Sequence, residues 1–305
     1  MAFEEYVQSE IVEECTKGFL TRREALRRLM LLGVGAAAAG VMLAGCSDDD
    51  SSGAGDDTTT TTGPSSTTMT AGAAAAPVGP APLATEAVTF AGPAGQLKGS
   101  WSAAPQPKGA VLIIHENRGL TPHFVTLPGR LAASGYSALA VDLVSRKGGT
   151  TDDQAAAMAA LTSIPRPDLV ADLQAGLDEL LRRTPGHKAG TVGFCFGGGM
   201  VWSLLAAGEA RLAAAAPFYG TPPENPDFSK AKAAVLAVYA EKDDRVNGTR
   251  PVAVAALEAA KLTHEVVVAP GADHAFFNET GQRFNAAAAA DAHTRLLAWF
   301  GKYLS

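Results

Sequence analysis

The sequence predicts an α/β fold: a mainly parallel β-sheet covered by helices on both faces. Three observations carry this. From about residue 86 onward, short apolar runs alternate with helix-like stretches, the order that successive βα units produce. Some runs, such as Ala110-Val111-Leu112-Ile113-Ile114, are continuously apolar, as strands buried on both faces are. Finally, Gly193-Phe194-Cys195-Phe196-Gly197-Gly198-Gly199 stands between an apolar run and a helix-like run. That order is strand, tight turn, helix, with one reactive side chain at the corner.

The elements follow in order. Ala87–Phe90 and Leu97–Trp101 flank Gly92-Pro93-Ala94-Gly95 and read as a hairpin. Ala110–Ile114 is a buried strand, and helical spacing follows over Thr126–Ser134. Ser137–Val141 is the next strand and ends at Asp142. Asp153–Leu161 and Asp168–Arg183 read as helices, separated by Pro165 and Pro167. Beyond the Cys195 turn, Ala213–Phe218, Ala234–Tyr239 and Glu265–Val268 are strands, and Arg250–Leu262 and Ala287–Tyr303 are helices.

The first third of the chain differs in kind. Residues 1–20 are polar and mixed, with acidic pairs at Glu4-Glu5 and Glu13-Glu14. Thr21-Arg22-Arg23 opens a basic segment, and an uncharged run extends from Leu29 to Ala44. A basic segment, a short apolar run and small residues form an export signal, and the paired arginines resemble the twin-arginine type. The run is shorter than the roughly 20 apolar residues of a membrane span. Leu43-Ala44-Gly45-Cys46 resembles the bacterial lipobox, in which cleavage before the Cys leaves it as a lipidated terminus. Residues 47–84 are almost all Ser, Thr, Gly, Ala, Pro and Asp, a composition that cannot bury a core. The expected organisation is an export signal at 1–46, a low-complexity linker at 47–84 and a folded domain at 85–305. The expected location is extracytoplasmic, at a membrane surface held by acyl chains.

The 305 residues carry a net charge of −6. No basic stripe lies beyond the N-terminal segment, which argues against a nucleic-acid partner. The three cysteines, Cys15, Cys46 and Cys195, have neither metal-ligand spacing nor the look of a disulfide framework. No nucleotide loop is visible, so no metal and no cofactor are expected.

A Cys nucleophile needs a base to take its proton and an acid to hold that base. In α/β-hydrolases these follow in the order nucleophile, acid, histidine. Cys195 sits at a helix N-terminus, which favours a thiolate. Tyr239-Ala240-Glu241-Lys242-Asp243-Asp244 follows one strand, and Pro270-Gly271-Ala272-Asp273-His274 follows the next. Both loops leave the carboxyl ends of strands, where sites in open α/β sheets gather. Asp243 is the expected acid: it holds the fourth place of Ala240-x-x-Asp, where hydrolases usually show Gly-x-x-Asp. His274 is the expected base. His123, His187, His264 and His293 lie on segments read as exposed or helical and are assigned no chemistry. His115 ends a buried strand beside Glu116 and either lines the pocket or belongs to the core.

Together, Gly-x-Cys-x-Gly-Gly at 193–198, Asp243 and His274-Ala275-Phe276-Phe277-Asn278 resemble the dienelactone hydrolase family, the carboxymethylenebutenolidases. The similarity runs over about residues 86–303. It implies an α/β-hydrolase fold and hydrolysis of an ester or lactone through a thiol acyl-enzyme. It further implies that Glu116 meets the thiol in the resting enzyme and keeps it protonated. The backbone N–H groups of Asn117 and Phe196 would form the oxyanion hole, and Arg146 would hold a substrate carboxylate. Where the family's founding enzymes carry a second carboxylate-binding Arg, this chain has Asn278, which hydrogen-bonds a carboxylate without neutralising it. A thioesterase or acyltransferase using the same triad, and a non-catalytic ligand-binding surface lipoprotein, stay open as alternatives at this point.

Overall fold

A computed structural model describes residues 3–46 and 78–305. The predicted linker lies mostly outside the described residues. Its end does not: Val78 is buried in the domain core, and the Leu83 N–H donates to the Gly129 carbonyl.

Eight strands form one sheet: β1 (Glu86–Gly92), β2 (Gly95–Ser102), β3 (Gly109–Ile114), β4 (Tyr136–Asp142), β5 (Ala189–Phe194), β6 (Leu212–Phe218), β7 (Ala234–Ala240) and β8 (His264–Ala269). Their order is β1-β2-β4-β3-β5-β6-β7-β8. The β1–β2 hairpin and the β2–β4 pair are antiparallel, and every other pair is parallel. Strands β3, β4, β5 and β7 are buried at every residue, so both faces of the central sheet are covered, as their unbroken apolar sequences require. Parallel register brings their carboxyl ends level: Ile114 pairs with Val141 and Gly193, Phe194 with Phe218, and Ala240 with Ala269.

The helices of this domain are α4 (Pro122–Ala133), α5 (Gln154–Thr162), α6 (Arg166–Arg183), α7 (Phe196–Ala206), the short α8 (Asp244–Asn247), α9 (Arg250–Ala259) and α10 (Ala286–Tyr303). In α6, Leu169, Leu173, Leu177 and Leu180 recur at helical spacing and are all buried. Burying each such side chain contributes roughly 1.5–3 kcal/mol, so this stripe fixes which face of α6 meets the sheet. The helix begins two residues before the expected Asp168, because Pro167 suits a first turn. His123 and His293, on segments read as exposed or helical, are buried. His123 Nδ1 lies 2.7 Å from Glu279 Oε2, and that partner explains its place in the interior.

Residues 3–46 fold as three helices: α1 (Phe3–Thr16), α2 (Arg22–Leu31) and α3 (Ala36–Met42). The arginine pair sits in the first turn of α2, whose N-cap Thr21 accepts from the Glu24 N–H. None of the helices among the described residues is long and apolar enough to cross a membrane. Tyr6, Val7, Ile11, Ala25, Leu29 and Leu43 share a small second core, to which the larger domain contributes Met158. Although the three cysteines do not have the look of a disulfide framework in the sequence, Cys15 and Cys46 form a disulfide, with Cα atoms 5.7 Å apart. The turn between α1 and α2 and the return through α3 bring the two together, a proximity that their separation of 31 residues does not reveal.

Candidate active site

The site grows from the corner between β5 and α7. Cys195 stands there with φ 55° and ψ −116°. A non-glycine residue held in this region is strained, and such strain gathers at functional corners. The flanking glycines permit the corner to form. A Cβ on Gly193 would lie 2.1 Å from the Gly197 carbonyl oxygen, and one on Gly197 would lie 2.3 Å from that of Ile114. Cys195 is buried and carries the one free thiol among the described residues.

Two further loops at the same sheet edge bring the acid and the histidine. Asp243 follows β7 and caps α8, its Oδ1 accepting from the Val246 N–H at 3.2 Å. Its other oxygen, Oδ2, lies 2.5 Å from His274 Nδ1. Both side chains are fully buried. Asp243 thus holds Nδ1, and a ring nitrogen of His274 lies within 4.8 Å of Cys195 Sγ. Burial opposes an imidazolium, but the Asp243 carboxylate and the Cys195 sulfur outweigh it and hold the His274 pKa well above its ordinary value. Burial raises the Asp243 pKa and the His274 imidazole lowers it more, so the net shift is downward.

The group that meets the thiol comes from an unexpected quarter. Glu10, on α1, places Oε1 3.5 Å from Cys195 Sγ and 3.5 Å from His274 Nε2. Its Oε2 accepts from Asn117 Nδ2 at 2.9 Å. The Tyr6 hydroxyl, one turn earlier, lies 3.5 Å from the same sulfur. Burial, and then the Glu10 carboxylate, push the Cys195 thiol pKa up. The Glu10 carboxylate thus works against the thiolate that the helix N-terminus favours. Burial works against a charged Glu10, yet His274, Arg245, Arg283 and Arg118 bring its pKa below the ordinary value.

Glu116 and Asn117 follow β3 and line the same cavity of about 480 Å³. Glu116 Oε2 accepts from Asn278 Nδ2 at 3.0 Å, so Glu10, not Glu116, is the carboxylate against the thiol. Phe196 opens α7, next to Cys195, where backbone N–H groups point away from the helix. His115 is a core residue: its Nε2 accepts from the Leu143 N–H at 3.0 Å, which tautomerically leaves Nδ1 to donate to the Glu116 carbonyl at 2.6 Å. Arg146 is not brought to the site. It binds Asp172 through two nitrogens, at 2.6 and 3.0 Å, and pairs with Asp168 at 3.3 Å. It is absent from the lining of the cavity over Cys195. Among the described residues, Glu10, Cys195 and His274 form a group of three buried ligand atoms close enough to share one metal ion.

Sequence reasoning missed Tyr6, Glu10 and the cations Arg118, Arg245 and Arg283 that face α1. A signal was present: Tyr6, Val7, Ile11 and Cys15 fall on one face of a helix, a periodicity hidden by reading residues 1–20 as a polar leader.

A parallel sheet with an antiparallel hairpin edge, a strained strand–helix corner bearing Cys195, and Asp243 and His274 on the next loops define a protein of the α/β-hydrolase class. Residues 97–304 match the model of the dienelactone hydrolase family, and the chain belongs to that family. It is 31% identical over 232 residues to a protein of Saccharolobus solfataricus provisionally named a carboxymethylenebutenolidase, covering 64% of this chain and 90% of that one. A relative of the same provisional name in Escherichia coli is 30% identical over 227 residues, covering 69% and 82%. A crystal structure from Klebsiella pneumoniae, provisionally described as a dienelactone hydrolase, is 29% identical with a TM-score of 0.64. It is matched over 100% of its own length but only 72% of this chain. The chain is accordingly a hydrolase of ester-cleaving type.

Proposed function

We propose that this hydrolase cleaves a carboxylic ester or lactone through a thioester on Cys195. The observation that carries the reading is the ordered contact from Asp243 to His274 to the neighbourhood of Cys195 at a strained strand–helix corner. With the carbonyl carbon near sulfur, His274 Nε2 takes the thiol proton as sulfur bonds to that carbon. The carbonyl oxygen becomes an oxyanion, held by the backbone N–H groups of Asn117 and Phe196. Collapse breaks the carbon–oxygen bond, and His274 returns its proton to the departing alkoxide. Water then loses a proton to His274 and adds to the thioester; the acid leaves, and the proton returns to sulfur. Asp243 keeps Nδ1 protonated and stabilises the imidazolium. Glu10, 3.5 Å from the sulfur, and to a lesser degree Glu116 favour the protonated thiol in the resting chain by their charge.

The reading extends to export. The arginine pair, the uncharged run and Cys46 support a twin-arginine signal and lipidation at Cys46, with an extracytoplasmic, membrane-attached protein as the outcome. A Cys46 sulfur bonded to Cys15 cannot also carry a thioether, so the disulfide and the lipidated forms are two covalent states of one residue.

The test uses the chain from Val78 onward and a p-nitrophenyl ester. Acid-quenched enzyme should carry the acyl mass on the Cys195 peptide. Cys195→Ala and His274→Ala should each lower turnover by at least about 10³-fold, and the double variant should be no worse, because such residues act as a unit. Near-normal turnover by Cys195→Ala in purified protein overturns the mechanism.

A further inference from the structure

The helix α1 lies where a substrate must go. A carbonyl carbon has to come within about 3–3.5 Å of the attacking atom, and the Glu10 carboxylate already stands at 3.5 Å from Cys195 Sγ. Glu10 also faces Nε2, the atom that must accept the thiol proton, and holds the Asn117 side chain. The Tyr6 hydroxyl approaches the sulfur as well.

The helix is fastened to the loops that build the site. Glu13 pairs with Arg245 at 3.1 Å, just past Asp243. The guanidinium of Arg245 also lies over the Tyr6 ring, 4.3 Å from its centroid. Glu14 pairs with Arg283 at 2.8 Å and with Arg118 at 3.2 Å. Lys17 reaches Asp273, beside His274, at 3.1 Å. Tyr6, Glu10 and Glu14 are nearly excluded from solvent. The contact is thus a built interface with matched charges along more than two turns of α1.

We infer that α1 is a tethered competitive inhibitor: the segment Phe3–Thr16 occupies the substrate position over Cys195, and the chain stays latent until that segment leaves. The inference rests on the reading of Cys195 as nucleophile. Covalent linkage in one chain presents such a segment at an effective concentration of order millimolar, so even a modest intrinsic affinity keeps the site closed. In the closed state the carboxylate stands within 3.5 Å of both the thiol and Nε2 of His274 and occupies the space between them that a substrate carbonyl needs. A main-chain cut before Cys46 would not free the helix while Cys15 remains bonded to Cys46. Release then also needs a dithiol reductant, which takes up the disulfide's oxidation and leaves two thiols.

The test uses the full chain, comparing wild type with Glu13→Lys/Glu14→Lys, which sets like charges against Arg245, Arg118 and Arg283. Glu10→Gln serves as a second variant that keeps the shape and removes the charge. Two rates are read: carbamidomethylation of the Cys195 peptide by iodoacetamide, followed by mass spectrometry, and hydrolysis of a p-nitrophenyl ester. The double variant should raise both by on the order of 10²-fold, and Glu10→Gln should raise both by less. A synthetic peptide of residues 3–16, added to the double variant, should raise KM with kcat unchanged. Equal alkylation of Cys195 in wild type and both variants overturns the inference. Faster alkylation without ester cleavage upholds the plug and overturns the hydrolytic reading of Cys195.

Discussion

Arg146 shows how a residue's neighbours decide its role. Its fork binds Asp172, whose side chain is fully buried on α6, and the pair ties the segment after β4 to that helix. Removing one partner of a buried pair leaves an uncompensated charge and costs about 3–5 kcal/mol. Arg146→Ala is therefore expected to lower the urea midpoint by a corresponding amount. Its kcat/KM for carboxylate-bearing and neutral esters should fall in the same proportion. A selective loss with anionic esters, at unchanged stability, would restore the substrate-clamp role that the family resemblance implies. Glu10 is the opposite case: it sits in a stretch read as a polar leader, yet stands at the centre of the site.

At the scale of elements, the loop after β8 is clamped to α4. Glu279 pairs with Arg130 and with His123, both on α4, and the neighbouring Asn278 reaches Glu116. Burial opposes the Glu279 charge, but His123 and Arg130 beside it prevail and pull its pKa down to about 2. An unfolded Glu titrates near 4.3. A lowered folded value means the stabilisation is complete above about pH 4.3 and is lost as the pH falls from there toward 2. Glu279→Gln should therefore cost about 2 kcal/mol near neutrality, after allowance for partial solvent screening. The gap in urea midpoint between wild type and variant should narrow between pH 6 and pH 3. An equal gap at both pH values would mean that the charge itself contributes nothing. The strands and most helices of this domain were legible because their signals are local: unbroken apolar runs for β3 and β7, and the leucine stripe for α6. The clamp was not, because His123 and Glu279 lie far apart in the chain and meet only when α4 packs beside the last loop.

Among the described residues the molecule has two cores. The larger contains only residues from Val78 onward, and the smaller unites α1, α2 and α3 with the single residue Met158 of the domain. The Klebsiella pneumoniae relative, matched over its full length by 72% of this chain, is a complete fold of the larger kind. The chain from Val78 onward should therefore unfold in one cooperative urea transition, with near-ultraviolet circular dichroism of a packed aromatic core. A broad, featureless transition would show that the domain needs α1–α3 to fold. The sequence by itself determined the α/β class, the corner at Cys195 and the loops bearing Asp243 and His274. Each of these is set by residues adjacent in the chain: glycines that allow a close approach, apolar runs that must be buried, and loops that leave strand ends. Only the tertiary structure decided that Glu10 rather than Glu116 meets the thiol, that Arg146 serves Asp172, and that Cys15 joins Cys46. The Glu10–Cys195 contact spans 185 positions, and nothing in either local sequence specifies it. It exists because complementary charges and an apolar helix face meet across a cleft that forms only once the sheet and its loops are in place.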